Sequence, residues 1–486
     1  MVPGEAPARA DQVLRGGSVI DGSGQARYRA DVAIDKGRIA AIGDLGRTVG
    51  TIERDVTGLI VAPGFIDVHT HDDGLLLVDP AMSPKASQGV TSVVIGNCGF
   101  SLAPLLPKAV LPQEFRLLGE DSIYRYPTME RYFAALEKTP PATHVAALVG
   151  HSTLRMGALR DLDRAATPAE CAAMSRALDE CLGAGAIGFS TGLEYPTNTA
   201  ASTEEIVAVA EPLAAHGGLY VTHTRDYVDD IDGAMEEAFE IGRRAKAPVV
   251  LSHHQGDGKK NHGHAARTLA RYDRAARAQP VGLDVYPYTA GSTTIMPEFV
   301  AEAERVLITW SDAMPQAAGR DLDDIARELE LDRQEAAQRL LPGGAIYFVL
   351  DEGDVRRILA HPDAMIGSDG LPFGRKVHPR LWGTFPRVLG HYAREQGLFT
   401  LEEAVRKMTS LSAARFGLEG RGRITPGFAA DLVVFDAGRI IDRATYDDPT
   451  RPAAGIDCVL VAGEAVWDGG RPTGARPGRV LRHGRA

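Results

Sequence analysis

The sequence predicts an α/β protein: a (β/α)8 TIM-type barrel, a small β-sandwich-like domain built from both chain ends, and an insert between strands seven and eight. Eight short apolar runs alternate with helix-patterned stretches through the middle of the chain, the signature of parallel strands joined by helical crossovers. Both ends carry strand-and-turn sequence instead. Ligand-type side chains recur where the central runs end, as they do at a barrel mouth. An open doubly wound sheet is the other arrangement that such alternation allows. The expected division is 1–60 plus 418–486 for the β domain, 61–417 for the barrel, and 290–346 for an insert or lid within it.

In chain order, Val13-Leu14-Arg15 and Ser18-Val19-Ile20 are short strand candidates interrupted by two glycines. Asp31-Val32-Ala33-Ile34 and Arg38-Ile39-Ala40-Ala41-Ile42 flank Asp35-Lys36-Gly37, a hairpin signal, so residues 12–60 read as a small antiparallel module. Barrel strands fall at 64–69, 91–98, 144–151, 186–190, 219–223, 248–253, 281–286 and 364–369. Helices are expected at 167–182, 203–216, 230–246 and 265–278. Thr167 and Thr203 are the expected N-caps, and Glu170 completes a capping-box pattern with Thr167. Roughly 75 residues separate strands seven and eight, too many for a simple loop and helix. Helical patterns at 321–330 and 333–341 suggest a small lid beside the mouth. Asp431-Leu432-Val433-Val434-Phe435, Cys458-Val459-Leu460-Val461-Ala462-Gly463 and Ala465-Val466-Trp467 return to strand character.

The chemistry lies at the strand ends. His69-Thr70-His71 closes strand one, and alternation along a strand sends both imidazoles to one face. Strand two ends in Cys98, strand five in His223, strand six in His253 and strand eight in Asp369. A barrel brings these six groups to one mouth, and imidazole, thiolate and carboxylate together suit a divalent transition metal, zinc first. His254 points away by alternation, and His151, at the end of strand three, reads as a polar neighbour. Two other motif matches fail on context. Gly188-Phe189-Ser190-Thr191-Gly192 fits a nucleophile elbow, with Asp369 and His391 following in order, but no helix follows the serine. Gly183 to Gly188 fits a dinucleotide fingerprint but leads from helix to strand, the reverse of what that site needs, and is better read as a helix stop.

The segments GFIDVHTHDD (64–73), GNCGFSLAP (96–104), GFSTGLEYP (188–196), THTRD (222–226), LSHH (251–254), DVYPYTAGST (284–293), IGSDG (366–370) and HPRLWGTFPRVLGHYARE (378–395) span nearly the whole chain. In them the chain resembles the amidohydrolase superfamily, and specifically its N-acyl-D-amino-acid deacylase (D-aminoacylase) branch. GNCGFS is the most specific, because many two-metal relatives bridge their metals with a carboxylated lysine where this branch has cysteine. The resemblance implies a tight zinc on Cys98, His223 and His253. It implies a weaker neighbouring site on His69, His71 and Asp369, with Cys98 able to bridge. It further implies hydrolysis of a linear amide by zinc-activated water, with Asp369 taking the water proton and returning it to the leaving amine.

The resemblance also makes Arg380 the fork for a substrate α-carboxylate and brings Tyr286 and Tyr195 to the substrate. Several relatives carry lysine two residues beyond the strand-six histidine, where this chain has Gln255. The lost charge disfavours an acidic substrate side chain and favours a neutral one, unless Lys259 and Lys260 compensate. D-selectivity rests on the resemblance alone. Alternatives are a cyclic-amide hydrolase of the dihydropyrimidinase or hydantoinase kind, which the cysteine disfavours, and a catalytically silent scaffold, which six intact ligand-type residues disfavour.

Bulk properties agree with a small-molecule enzyme. The chain has 486 residues, 44% of them hydrophobic, enough for a large domain and a smaller one. A net charge of −11 argues against nucleic-acid or anionic-membrane partners. Four scattered cysteines without a C-x-x-C pair suit a reducing cytoplasm. Residues 1–10 have no apolar signal core, and no apolar run approaches the roughly 18 residues needed to span a bilayer.

Overall fold

The computed structural model describes residues 8–107 and 110–484; residues 1–7, most of the segment read above for a leader, lie outside them. Eight central strands run Phe65–Asp67, Val90–Ile95, His144–Gly150, Gly188–Gly192, Leu219–His223, Val249–Leu251, Val281–Val285 and Ala364–Ile366, in the same order in the sheet as in the chain. Every neighbouring pair is parallel. Every residue in them is buried, which is why they read as unbroken apolar runs and not as alternating ones. Alternate residues such as Ile66, Val94, Leu148, Val221 and Met365 pack on one another with Phe416 and Leu418. The residues between them pack outward in the main core. The eighth strand meets the first through a bridge between Thr70 and Gly370 and a 2.8 Å bond from the Asp369 N–H to the His69 carbonyl, closing the barrel.

The crossover helices sit close to their expected positions. Pro168–Gly183 starts on Thr167, whose hydroxyl accepts from the Glu170 N–H while Glu170 reaches back to the cap, a complete capping box. The stretch expected as one helix over 203–216 is two, Thr203–Ala210 and Leu213–His216. Pro212 separates them, and Ser202, not Thr203, is the cap. Ile231–Ala245 and Ala265–Ala276 follow.

Both chain ends enter one nine-stranded sheet, joined where Ile60–Pro63 pairs antiparallel with Leu432–Phe435. It is not purely antiparallel as expected: Arg9–Val19 pairs in parallel with Val49–Asp55 and Ile60–Pro63. The two candidate strands near the start are one strand, Arg9–Val19, bulged at Arg15-Gly16. Gly16 has φ +71°, and a Cβ there would lie 2.6 Å from the Thr57 hydroxyl, so the bulge needs glycine. Buried Asp431 fastens this sheet to the foot of the barrel through His144 (3.0 Å). The chain's last described residues then run under the barrel, with Val145 bonded to Arg479 and Leu481.

The segment after strand seven is more than a helical lid. Ala290–Thr294, Gly343–Phe348 and Arg305–Ser311 form a three-stranded antiparallel sheet in that order. Pro297–Glu302, Leu322–Leu329 and Arg333–Arg339 cover it, and the whole has its own core, including Ile308, Leu322, Ile325 and Leu340. Among the described residues no helix is long and apolar enough to cross a membrane.

Thr167→Ala removes a cap from a helix on the barrel's outer ring. It is expected to cost about 1 kcal/mol. Urea unfolding should show a lower midpoint at an unchanged slope.

Candidate metal centre and active site

The six strand-end residues meet. They form two buried groups, His69 with His71, Cys98 and Asp369, and Cys98 with His223 and His253, the ligand atoms in each lying within 4.8 Å of one another. Cys98 belongs to both. Its sulfur lies 3.1 Å from His69 Nε2 and 3.7 Å from His253 Nε2, and His223 Nδ1 lies 3.0 Å from His253 Nε2. His71 Nε2 lies 3.1 Å from Asp369 Oδ1. Zinc bonds of about 2.0–2.3 Å in a tetrahedron set ligand atoms roughly 3.3–3.6 Å apart, and these separations bracket that spacing. Several ring nitrogens and a sulfur converging on one point are reconciled by a shared cation, so the donor set fits zinc.

Backbone conformation aims these groups. Cys98 (φ 52°), His253 (φ 31°) and Asp369 (φ 48°) are three of the eight non-glycine residues with positive φ among those described. Left-handed conformations at non-glycine positions cost of order 1–3 kcal/mol each and cluster where surrounding structure enforces them. Glycine makes room beside the thiol: a Cβ at Gly192 would sit 2.2 Å from the Cys98 carbonyl oxygen.

The electrostatics are those of an anion-rich site that collects positive charge. Burial alone would raise the Cys98 thiol, but the charge of His69 and the bonds from His223, His253 and His69 hold it well below its ordinary range. Burial opposes charge on the imidazoles, yet Asp369 and Cys98 carry His71 up to about 9, and Cys98 and Glu194 carry His223 up to about 10. Burial would raise Asp369; Arg380, His69 and His71 keep it well below the usual carboxylate range.

Three supporting groups escaped the sequence reading. Asp284 lies 3.3 Å from His69 Nδ1 and accepts from the His253 N–H at 2.8 Å. Glu194 lies 2.9 Å from His223 Nε2. Metal-binding imidazoles commonly hand their second nitrogen to a carboxylate, so both acids, inside DVYPY and GLEYP, carried a usable signal. Lys85 had none. It is wholly buried, with its ammonium 2.8 Å from Asp67, 2.8 Å from the Ser368 hydroxyl and 3.3 Å from Asp72. Asp67 also accepts from the Ser368 N–H, so the cluster ties the loop bearing His69 and His71 to the loop bearing Asp369. The charges of Asp67 and Asp72 outweigh the burial that would lower the Lys85 ammonium.

The expected substrate residues border this centre. Arg380 is fully buried. Its Nη2 donates to the Ser292 carbonyl at 3.0 Å, Nη1 lies 2.9 Å from Asp369 Oδ2, and the guanidinium stacks 4.6 Å from the Tyr286 ring centre. Neither Nη1 nor Nε makes an aligned hydrogen bond, which leaves donor capacity for an anion. Tyr286 donates to Gln255 Oε1 at 2.6 Å, and the Tyr195 hydroxyl meets that of Thr293 at 2.9 Å. Tyr286, Tyr195, Gln255, His223, His253 and Asp369 line one pocket.

Other candidates lie elsewhere. His254 turns away to Thr268 (2.9 Å), and His151 sits 3.2 Å from Glu205. Lys259 and Lys260 pair at the surface with Glu304 and Asp229 and do not replace a lysine at 255. Ser190 is buried, with its hydroxyl on the Gly96 carbonyl, and His391 pairs with Glu395, so no serine triad forms.

The profile of the amidohydrolase family matches residues 53–261 and 257–467. D-aminoacylase of Alcaligenes xylosoxydans xylosoxydans is 52% identical over 471 residues, covering 97% of this chain and 97% of that protein. A solved structure concerned with the binuclear metal centre of D-aminoacylase matches with TM-score 0.96 at 51% identity, covering 97% of this chain and 100% of that one. N-acyl-D-glutamate deacylase from Bordetella bronchiseptica, solved with zinc and a phosphonate mimic of the tetrahedral intermediate, matches with TM-score 0.95 at 46% identity, covering 98% and 100%. A dihydropyrimidinase from Brevibacillus agri shares the fold alone, at TM-score 0.61 and 17% identity.

Lys85→Met leaves Asp67 and Asp72 buried without their cation. It is expected to destabilise the fold by about 3–5 kcal/mol in chemical denaturation.

Proposed function

The chain belongs to the amidohydrolase family, and from that premise we propose that it is a zinc-dependent N-acyl-D-amino-acid deacylase, releasing a carboxylic acid and a free D-amino acid. The single observation that carries this reading is Cys98, placed in both ligand groups beside the Arg380–Tyr286 pair. Residues 61–417 would be the catalytic unit, with 1–60 and 418–486 as its β domain and 290–346 as the insert. Cys98, His223 and His253 would hold the tight zinc, and His69, His71 and Asp369 the second site. Bound there, zinc polarises a carbonyl oxygen and lowers the pKa of water.

The chain's own residues do the rest. Arg380, with two nitrogens lacking aligned bonds, grips the substrate α-carboxylate, and Tyr286 lies against its guanidinium. Asp369, ionised and 3.1 Å from His71, takes a proton from the attacking water and returns it to the leaving nitrogen. Substrate carboxylate drawing on Arg380 weakens its hold on Asp369, so binding itself makes Asp369 a better base. The cyclic-amide alternative rests only on a distant match of fold. All four cysteines are free and buried, and on that ground we place the enzyme in the reducing cytoplasm.

Release of free amine from paired N-acetyl-D- and N-acetyl-L-methionine tests the reading. Only the D-form should react, and prolonged chelation should abolish turnover until zinc is restored. Equal rates on both enantiomers would overturn it. Asp369→Asn is expected to retain the tight zinc by elemental analysis while kcat falls by about 10²–10⁴. Near-full activity in that variant would remove Asp369 from the mechanism.

A further inference from the structure

We propose that the side-chain pocket selects a cationic D-amino acid, such as an Nα-acyl-D-lysine, arginine or ornithine, and that Asp257 makes the selection. This rests on the deacylase reading and names the substrate class it left open.

Four carboxylates line this pocket, Glu194, Asp257, Glu302 and Asp369. Among the described residues no lysine or arginine lines it; Arg380 reaches it only through its contacts with the lining residues Asp369, Ser292 and Tyr286. Two of the acids are committed: Asp369 to His71 and Arg380, and Glu194 to His223. The other two are not. Glu302 has only a 3.9 Å contact with Lys260, which is already held at 2.6 Å by Asp229. Asp257 accepts a single side-chain bond, from Gln255 Nε2 at 3.0 Å, and has no ion-pair partner among the described residues. Burial first, and then the charge of Glu194, push Asp257 well above the usual carboxylate range, so its neutral form is favoured until a counter-charge arrives. An ammonium or guanidinium in the pocket would supply it.

Gln255 sets the direction. The Tyr286 hydroxyl donates to its amide oxygen at 2.6 Å, which leaves its amide nitrogen to donate to Asp257. A chain of contacts thus runs from Arg380, the grip for the α-carboxylate, through Tyr286 and Gln255 to Asp257. Cation and carboxylate are held apart at its two ends, matching a substrate that is anionic at one end and cationic at the other. Val228, Phe299, Tyr347 and Val349 line the same pocket and offer apolar surface to a methylene stem. A glutamate side chain would meet two uncompensated acids. A methionine side chain would leave Asp257 with its bond from Gln255 and no cation, the asymmetry by which a polar site disfavours an apolar analogue.

The test is kcat/KM for zinc-loaded enzyme on the Nα-acetyl forms of D-lysine, D-methionine and D-glutamate. Lysine is expected to exceed methionine by about tenfold and glutamate by roughly a hundredfold. Asp257→Asn should lower the lysine-to-methionine ratio by about tenfold, and Gln255→Lys should shift preference toward glutamate. Methionine or glutamate equal to or above lysine in the wild-type enzyme overturns the proposal. So does an unchanged ratio in Asp257→Asn that is folded by circular dichroism and retains zinc. Should the variants not fold, the wild-type panel decides alone. Turnover of methionine without a lysine preference sinks this inference and spares the deacylase reading. No turnover of any D-substrate sinks both.

Discussion

The barrel closes through the backbone of its own metal-ligand candidates, and most of the structure depends on that contact. The first and last strands are only three residues each, Phe65–Asp67 and Ala364–Ile366. What joins them lies beyond their ends: the Asp369 N–H on the His69 carbonyl, the His71 N–H on the Gly370 carbonyl, and the Thr70–Gly370 bridge. A barrel tolerates no open edge in its interior, so this seam must form for the fold to close. The positions of His69, His71 and Asp369 are therefore fixed by the requirement that fixes the fold. Lys85, Asp67 and Ser368 buttress the seam from beneath with bonds that no water could supply at that depth.

The same constraint accounts for the sulfur. Two ligand groups lie so close that one side chain belongs to both, and Cys98 reaches that point only from a left-handed backbone. A thiolate brings one negative charge to both groups, where two separate anions would repel each other in a buried site. The imidazoles raised around it, His71 to about 9 and His223 to about 10, show how strongly the site calls for positive charge. A metal held by these residues would answer that demand.

How much of this was legible follows from burial. The eight barrel strands are buried on both faces, so they appear in sequence as unbroken apolar runs, and their ends deliver the six ligand-type residues directly. Of the insert's three strands only Ala290–Thr294, Ala-Gly-Ser-Thr-Thr and half-exposed in its middle, lacks an apolar run; Arg305–Ser311 and Gly343–Phe348 carry runs that the helical reading of the insert passed over. Ser202 displaced Thr203 as a cap because adjacent hydroxyl residues cannot be told apart without the backbone angle. Asp284 and Glu194 lay within recognised motifs but gain meaning only once the rings they face are placed. Lys85 is invisible from sequence, since a lone lysine in Ser-Pro-Lys-Ala looks like a solvated helix residue; only the buried Asp67 and Asp72 beside it make it structural.

Chemistry and selectivity come from different parts of the chain. The candidate ligand atoms hang from the residues just beyond the ends of barrel strands, except His223, which closes its own strand. The pocket wall is shared: Glu194 and Asp257 come from barrel loops, while Phe299, Glu302 and Tyr347 come from the insert, which packs around its own core. Because the insert holds itself together, changes at its inner face need not disturb the strand ends that carry the candidate metal ligands. The barrel loop at Gln255 and Asp257 is the point where the two meet. It follows His253 in sequence, while its side chains bond to Tyr286 and to each other, facing the insert and not the metal. Charge at this junction can therefore change without altering the candidate ligands at the strand ends.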